Sequence, residues 1–277
     1  MFFKIDEKEK IEQKSEPKVF DDSNIEKVLF FIKENVGIDL FLKEHIIKNR
    51  LKFFCEKRDI FSFSELFLKT KLDNNLKQEV INLITVNETY FFREERQLEE
   101  IVKFLLNLKK EAKVLCAPCS SGEEVYTLAI MLREAKRDFN YRIYGIDIDS
   151  KMVDKAKKAL YSSRALHKIE QNLAQKYFTF QNEKYILKKD LFSFIDFRVA
   201  NIFDEDFCNG EKFDLVISRN MFIYFDEQTR LKALNIFKKC LKSDGRLYLG
   251  HADIVPKNDF LKKCGYGAKC YFYIKDV

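Results

Sequence analysis

The residues with the clearest chemical signature form a short run after the apolar stretch Val114-Leu115-Cys116-Ala117. The chain reads Pro118-Cys119-Ser120-Ser121-Gly122-Glu123-Glu124 before a helical pattern opens at Val125. Small residues let such a turn approach a ligand closely, and the helix N-terminus behind it offers free N–H groups and a positive dipole to a carboxylate or phosphate. The fingerprint G-x-G-x-x-G is absent, since Gly122 is the only glycine of the turn, which favours a ligand smaller than a dinucleotide. A second apolar run ends in Gly145-Ile146-Asp147, and an acid at that position accepts hydrogen bonds from the ribose hydroxyls of an adenosine. The competing reading is that Asp147 and Asp149 cap the next helix. A third run leads into Asn201 and Ile202, where an amide could meet an adenine edge with its donor and acceptor pair. A fourth leads into Ser218-Arg219-Asn220-Met221-Phe222-Ile223-Tyr224-Phe225, polar groups followed by aromatics that would overlook a reacting centre. Tyr224 also reads as a core aromatic of that cluster.

Other chemistries are weaker. Cys116-Ala117-Pro118-Cys119 has the spacing of a redox C-x-x-C, but Cys116 belongs to the strand, not to the helix start where a thioredoxin-type motif carries its first cysteine. Zinc from Cys116, Cys119, Cys264 and Cys270 has ligand-like spacing only in its first pair, so no metal is expected. His45, His167 and His251 are too few for a histidine-centred mechanism, and His251 reads as structural at a strand end.

These residues need rigid elements to hold them. Short apolar runs alternate with helical stretches after Lys113, the pattern of an α/β fold with a parallel sheet flanked by helices. Strands are expected at Lys113–Ala117, Tyr141–Ile146, Phe194–Val199, Phe213–Ser218, Arg246–Gly250 and Cys270–Ile274. Helices are expected at Glu123–Glu134, capped by Ser121 or Gly122, at Ser150–Leu160, capped by Asp149, and at Glu227–Leu241. Residues 163–193 fit the alternation poorly. Two runs there, Tyr177–Phe180 and Lys184–Leu187, predict a small antiparallel excursion. Residues 1–22 are dense in Lys and Glu and read as a mobile tail. Residues 23–86 have apolar positions three and four apart and read as a helical domain, with 87–112 as a linker.

With 277 residues, the chain suits one large and one small domain. No run approaches the roughly 18–20 apolar residues that cross a bilayer, and no basic-then-apolar leader opens the sequence, so the expected location is cytoplasmic. The seven scattered cysteines read as free thiols, without a disulfide framework. A net charge of +6 tilts the protein toward acidic partners, although a solvated lysine-rich surface gives the same number.

Four segments share their order and spacing with a known family. Asn87-Glu-Thr-Tyr-Phe-Phe-Arg93, Cys119-Ser-Ser-Gly-Glu-Glu-Val-Tyr126, Gly145-Ile-Asp-Ile-Asp149 and Ser218-Arg-Asn-Met-Phe-Ile-Tyr-Phe-Asp226 resemble the chemotaxis receptor methyltransferases of the CheR type. The resemblance runs from about residue 25 to the C-terminus, and Lys242-Ser-Asp-Gly-Arg-Leu-Tyr-Leu-Gly-His251 looks like the family's late strand. It implies a helical N-terminal domain, a linker folded over the cofactor, and a Rossmann-like S-adenosylmethionine methyltransferase sheet domain with a small inserted β-subdomain. By motif it carries cofactor contacts onto Asn87, Thr89, Arg93, Glu124, Asp147, Asn201, Ile202, Arg219 and Asn220, and sets Tyr224 beside the transferred methyl. The implied activity is that of a protein-glutamate O-methyltransferase. It would use S-adenosyl-L-methionine and release S-adenosyl-L-homocysteine, and its acceptors would be glutamates on the cytoplasmic helices of methyl-accepting chemotaxis receptors.

The match has departures. Val125 replaces the family's common proline, and Gly250-His251-Ala252-Asp253 stands for Gly-His-Ser-Glu. The short turn Gln181-Asn182-Glu183 lacks the glycine-rich loop of members that dock a receptor-tail pentapeptide, which implies recognition independent of such a tail. The cations Lys43, Lys48, Arg50, Lys52, Lys57 and Arg58 flank Ile47, Leu51 and Phe54 on one helix and read as a docking face for acidic receptor helices, the alternative being an ordinary solvated helix. An RNA acceptor is the main rival, but the Asn-Pro-Pro-Tyr type of motif is absent, and neither nucleic-acid binding nor membrane insertion is expected. A non-catalytic binding module is less favoured, because Arg93, Asp147 and Tyr224 are all retained.

Overall fold

The computed structural model describes residues 19–275 apart from 109, 209, 260 and 266–270, so the expected N-terminal tail lies largely outside the described residues. Four helices come first. α1 (Ile25–Val36) buries Ile25, Val28, Leu29, Ile32 and Val36, a stripe at helical spacing, and stops at Gly37, whose φ of 76° closes the last turn with an N–H bond to the Lys33 carbonyl. α2 (Glu44–Glu56) follows a short 3₁₀ turn. α3 (Phe63–Leu72) is capped by the Ser62 hydroxyl, and α4 (Asn74–Ile84) by the Asp73 carboxylate. In α2 the apolar positions Ile47, Leu51 and Phe54 are 4, 0 and 7% exposed. They face the helical core, so they form no part of a docking face; hydrophobic burial claims a stripe that the sequence alone left free to point either way.

The segment expected as a linker holds a further helix, α5 (Glu95–Leu106), which buries Leu98, Ile101, Val102 and Leu105. The chain then alternates through β1 (Ala112–Cys116), α6 (Glu123–Ala135), β2 (Tyr141–Asp147) and α7 (Ser150–Lys158). The small sheet follows with β3 (Leu160–Tyr161), α8 (Gln171–Tyr177), β4 (Phe178–Gln181) and β5 (Lys184–Leu187). β6 (Phe194–Val199), β7 (Phe213–Ser218), α9 (Glu227–Cys240), β8 (Leu241–Leu249), β9 (Leu261–Gly265) and β10 (Tyr271–Lys275) complete the fold.

The main sheet has the order β6-β2-β1-β7-β8-β10-β9, parallel from β6 to β8, with β10 antiparallel to both its neighbours. β3, β5 and β4 make a separate antiparallel sheet. Strand order reverses between β1 and β7, the switch point at which open α/β sheets bind ligands. β7 is buried at every residue, as a central parallel strand covered on both faces must be.

Several boundaries differ from expectation. The helix expected to reach Leu160 ends at Lys158, because Ala159 turns to φ 53° and Leu160 joins β3. The excursion therefore starts before residue 163. Tyr177 ends α8 and does not open a strand. The strand expected from Arg246 begins at Leu241, and β9 was not expected at all. Cys270 lies outside the described residues. Cys208 and Cys240 correct the free-thiol reading: the loop after β6 meets the end of α9 there, their Cα atoms are 6.1 Å apart, and the sulfurs are joined as a disulfide.

Candidate active site

Beyond the carboxyl ends of β1, β2 and β7 lies a cleft of about 370 Å³, within the roughly 300–1,000 Å³ of small-molecule sites. Asn87, Thr89, Arg93, Glu124, Asp147, Asn201, Ile202, Arg219, Asn220 and Tyr224 all line it, brought together from five separate stretches of chain. The helical segment contributes Ile38, Lys43, Ile46 and Arg50 to the same wall. Sequence reasoning missed those four as cleft residues; Lys43 and Arg50 were visible as cations of one helix, but their side of the helix was not.

Asp147 ends β2 and is 5% exposed. One of its oxygens accepts the Ser120 N–H at 2.8 Å and the other the Asp149 N–H at 2.9 Å. Burial pushes its carboxyl up to about 6, against the pull of those N–H groups. Of the two acids, Asp149 and not Asp147 caps the helix. Asp149 caps α7 through the Lys151 and Met152 N–H groups, and its second oxygen accepts from Thr85 and Asn87 at 2.7 and 2.8 Å. That pair ties the Asn87 segment to the sheet.

Across the cleft, Arg219 is buried to 1% exposure between Glu124 at 2.7 Å and Glu94 at 3.4 Å. It also donates to the Arg93 carbonyl at 2.5 Å, joining β7 to the segment before α5. Asn220 sits in the left-handed region, φ 60°, and its N–H is received at 2.6 Å by Asp253, which also accepts the Gly250 N–H at 2.8 Å. A Cβ at Gly250 would lie 2.8 Å from the Asn220 nitrogen, so glycine is required there. Asp253 was noted only as a departure from the family ending; it holds the strand-end backbone in place. His251 gives its N–H to Glu94 at 3.2 Å, a structural bond at the end of β8.

Tyr224 lies in a 3₁₀ turn between β7 and α9, half-buried, with its hydroxyl pushed up by burial and opposed by the nearby Arg93 charge. It is not a closed core aromatic, since it faces the cleft. Arg93 gives Nη1 to the Glu88 carbonyl at 2.6 Å, lies against the Tyr90 ring and lines the cleft. Asn201 lines the cleft with its amide partly engaged. Its amide nitrogen donates to the Asn35 carbonyl at 2.6 Å and its oxygen accepts the Phe203 N–H at 3.1 Å, so both polar atoms serve to hold the loop.

The surroundings of the cysteine pair at the end of β1 oppose thiolate formation. Cys116 and Cys119 are 1 and 2% exposed, and burial, with the Glu124 and Asp147 charges close by, pushes both thiols well above their ordinary range. An activated redox thiol needs the opposite surroundings.

The donor set suits S-adenosylmethionine. The cleft pairs a buried carboxylate at the end of β2 with Glu124 on the first helix turn, and the Ser120 hydroxyl is buried without a partner. A ribose diol and an ammonium group supply the complementary donors, while a phosphate would meet two carboxylates. The fold and site are those of a Rossmann-like methyltransferase that uses S-adenosylmethionine. Residues 87–269 match the family model described as CheR methyltransferase, SAM binding domain. A chemotaxis protein methyltransferase of Campylobacter jejuni is 40% identical over 235 residues, covering 84% of this chain and 88% of that protein. One of Borreliella burgdorferi is 32% identical over 255 residues, covering 86 and 90%, and one of Escherichia coli 27% identical over 250 residues, covering 87% of each. The chain belongs to the CheR family of chemotaxis methyltransferases.

Proposed function

We propose that the protein esterifies glutamate side chains on the cytoplasmic helices of chemotaxis receptors, working in the cytoplasm. The observation that carries the reading is that Arg93 and Tyr224, from segments far apart in sequence, line the same cleft as Asp147 and Glu124. Two anions suit the cofactor, while a cation and a phenol suit an incoming carboxylate.

Bound S-adenosylmethionine supplies an electrophilic methyl on a sulfonium. A glutamate with a pKa near ~4.3 is already ionised at neutral pH, so no general base is needed, and rate comes from alignment and desolvation. Arg93 offers a planar fork of donors that stays charged, and its bond to the Glu88 carbonyl leaves only part of that fork for the carboxylate. This partial grip orients the nucleophile without neutralising it. The Tyr224 hydroxyl, whose ionisation burial opposes still further, shares the orientation. Asp147 and Glu124 hold the ribose and ammonium ends, and Arg219 fixes Glu124. Asn87 and Thr89 close the segment over the cofactor, and with the Asn201 amide already engaged, the neighbouring Ile202 supplies an adenine wall.

Receptor docking falls to the outer face of α2 and the turn before it. Leu42, Ile46 and Phe53 are 94, 51 and 59% exposed there, beside Lys43, Arg50 and Lys57. Such a face suits an acidic amphipathic helix. Its neighbours in the cleft wall, Lys43 and Arg50, lead from that face to Tyr224. The test is turnover against binding. Arg93→Ala and Tyr224→Phe should each slow methyl transfer to receptor fragments by ~10²-fold or more while S-adenosylhomocysteine affinity changes little for Tyr224→Phe. Unchanged turnover in both variants would refute the assignment.

A further inference from the structure

The reading of Tyr224 leaves open what fixes its segment, a 3₁₀ turn that follows a left-handed Asn220 and has no strand pairing of its own. The helical domain does so. Lys33, in the last turn of α1, places its ammonium 3.0 Å from Asp39 and 2.7 Å from Asp226. Asp39 gives its backbone N–H to the Tyr224 carbonyl at 2.9 Å. Asp226, two residues beyond Tyr224, caps α9 by receiving the Thr229 N–H at 2.8 Å. One cation therefore joins two carboxylates that flank Tyr224, one from the helical domain and one from the sheet domain. Gly37 lets the chain turn tightly between Lys33 and Asp39, since a Cβ there would lie 2.5 Å from the Phe203 ring.

We propose that Lys33 is a positioning residue for methyl transfer, its ammonium locking the Asp39 and Asp226 carboxylates together so that the helical domain sets the place of the Tyr224 hydroxyl in the cleft. The inference rests on the proposed role of Tyr224. Electrostatics gives it a direction. With the ammonium gone, two carboxylates that shared it face each other and repel, and the bond from Asp39 to the Tyr224 carbonyl opens with them. All three side chains are about a quarter to a third exposed, so the effect is on geometry more than on global stability. The helical domain would thus be part of the catalytic scaffold as well as a platform for the receptor.

The experiment is a double-mutant cycle on the full chain with Lys33→Met and Tyr224→Phe, reading kcat for methyl transfer and the Kd of S-adenosylhomocysteine. Lys33→Met should lower kcat about tenfold with the Kd unchanged, Lys33→Arg should restore most of the loss, and in the Tyr224→Phe background Lys33→Met should cost little more. Lys33→Gln, which keeps the stem, carries the same expectation should the methionine variant fail to fold. A loss from Lys33→Met that is equally large with and without the Tyr224 hydroxyl overturns the proposal while sparing Tyr224. Wild-type kcat in Tyr224→Phe overturns both.

Discussion

Arg219 and Glu124 meet at 2.7 Å with the guanidinium almost wholly shielded from water, so the cofactor wall of the cleft is organised around a buried ion pair. Glu94 completes the arrangement from the other side at 3.4 Å. A buried charge that loses its partner costs far more than the pair contributes.

Arg219→Met should therefore destabilise the protein by about 3–5 kcal/mol, the range for breaking a buried pair, because Glu94 and Glu124 are left facing each other. Glu124→Gln should cost less, since Glu94 still compensates Arg219, yet it should weaken cofactor binding more. Urea unfolding beside calorimetric titration separates the two effects. Equal losses in both assays for both variants would contradict this division.

Cofactor affinity should fall as the pH drops through about 6. Asp147 is held up to about 6 by burial, and under the proposed ribose role its ionised form is the stronger acceptor for the hydroxyls. From about pH 7.5 to about pH 5.5 the affinity should weaken about fourfold, and Asp147→Asn should remove the step along with at least ~10-fold in affinity. The unliganded protein responds the other way. Asp147 and Asp253 both have folded values near 6, above their unfolded range, so the folded state holds more protons between about pH 4 and 6. Their contribution to stability is thus greatest at the low end of that window and declines as the pH rises through it. A thermal-shift series with and without cofactor reads both trends.

Much of this site is legible in the sequence. β1, β2, β6 and β7 are largely apolar runs, each followed within a few residues by a polar one, and the sheet's parallel order makes those ends converge. β3 was not legible, because two residues carry no period, and β9 was hidden by its lysines, which suit an edge strand. α5 had a clear signal in Leu98, Ile101, Val102 and Leu105, but a linker reading of the same residues obscured it. The direction in which the stripe of α2 faces, and the pairing of Lys33 with Asp226 across the whole fold, are tertiary facts that no local pattern encodes. The bond from the Asn201 amide to the Asn35 carbonyl is another such fact, made between segments far apart in sequence.

Native Cys116 and Cys119 should resist alkylation. Both are buried and their thiols are pushed well above the ordinary range, so iodoacetamide at about pH 8 should label them only after denaturation, while the partly exposed Cys264 reacts first. Rapid labelling of Cys116 in the folded protein would reopen the redox reading.

If α2 steers acidic receptor helices, methyl transfer should slow with added salt, chiefly through the apparent KM for receptor. Reversing Lys57 to Glu together with Phe53→Ser, both outside the cleft wall, should raise that KM ~10-fold with S-adenosylhomocysteine binding unchanged. Salt-independent kinetics, or a KM untouched by the reversal, would place the docking face elsewhere.

The most direct test of the account is transfer of tritiated methyl from S-adenosylmethionine to purified receptor cytoplasmic fragments, with total RNA as the competing acceptor and mild alkali to identify the product. The expected result is label on the receptor fragments that alkali releases as methanol and that Arg93→Ala abolishes. Label on RNA with none on receptors, or receptor label that survives alkali, would contradict it.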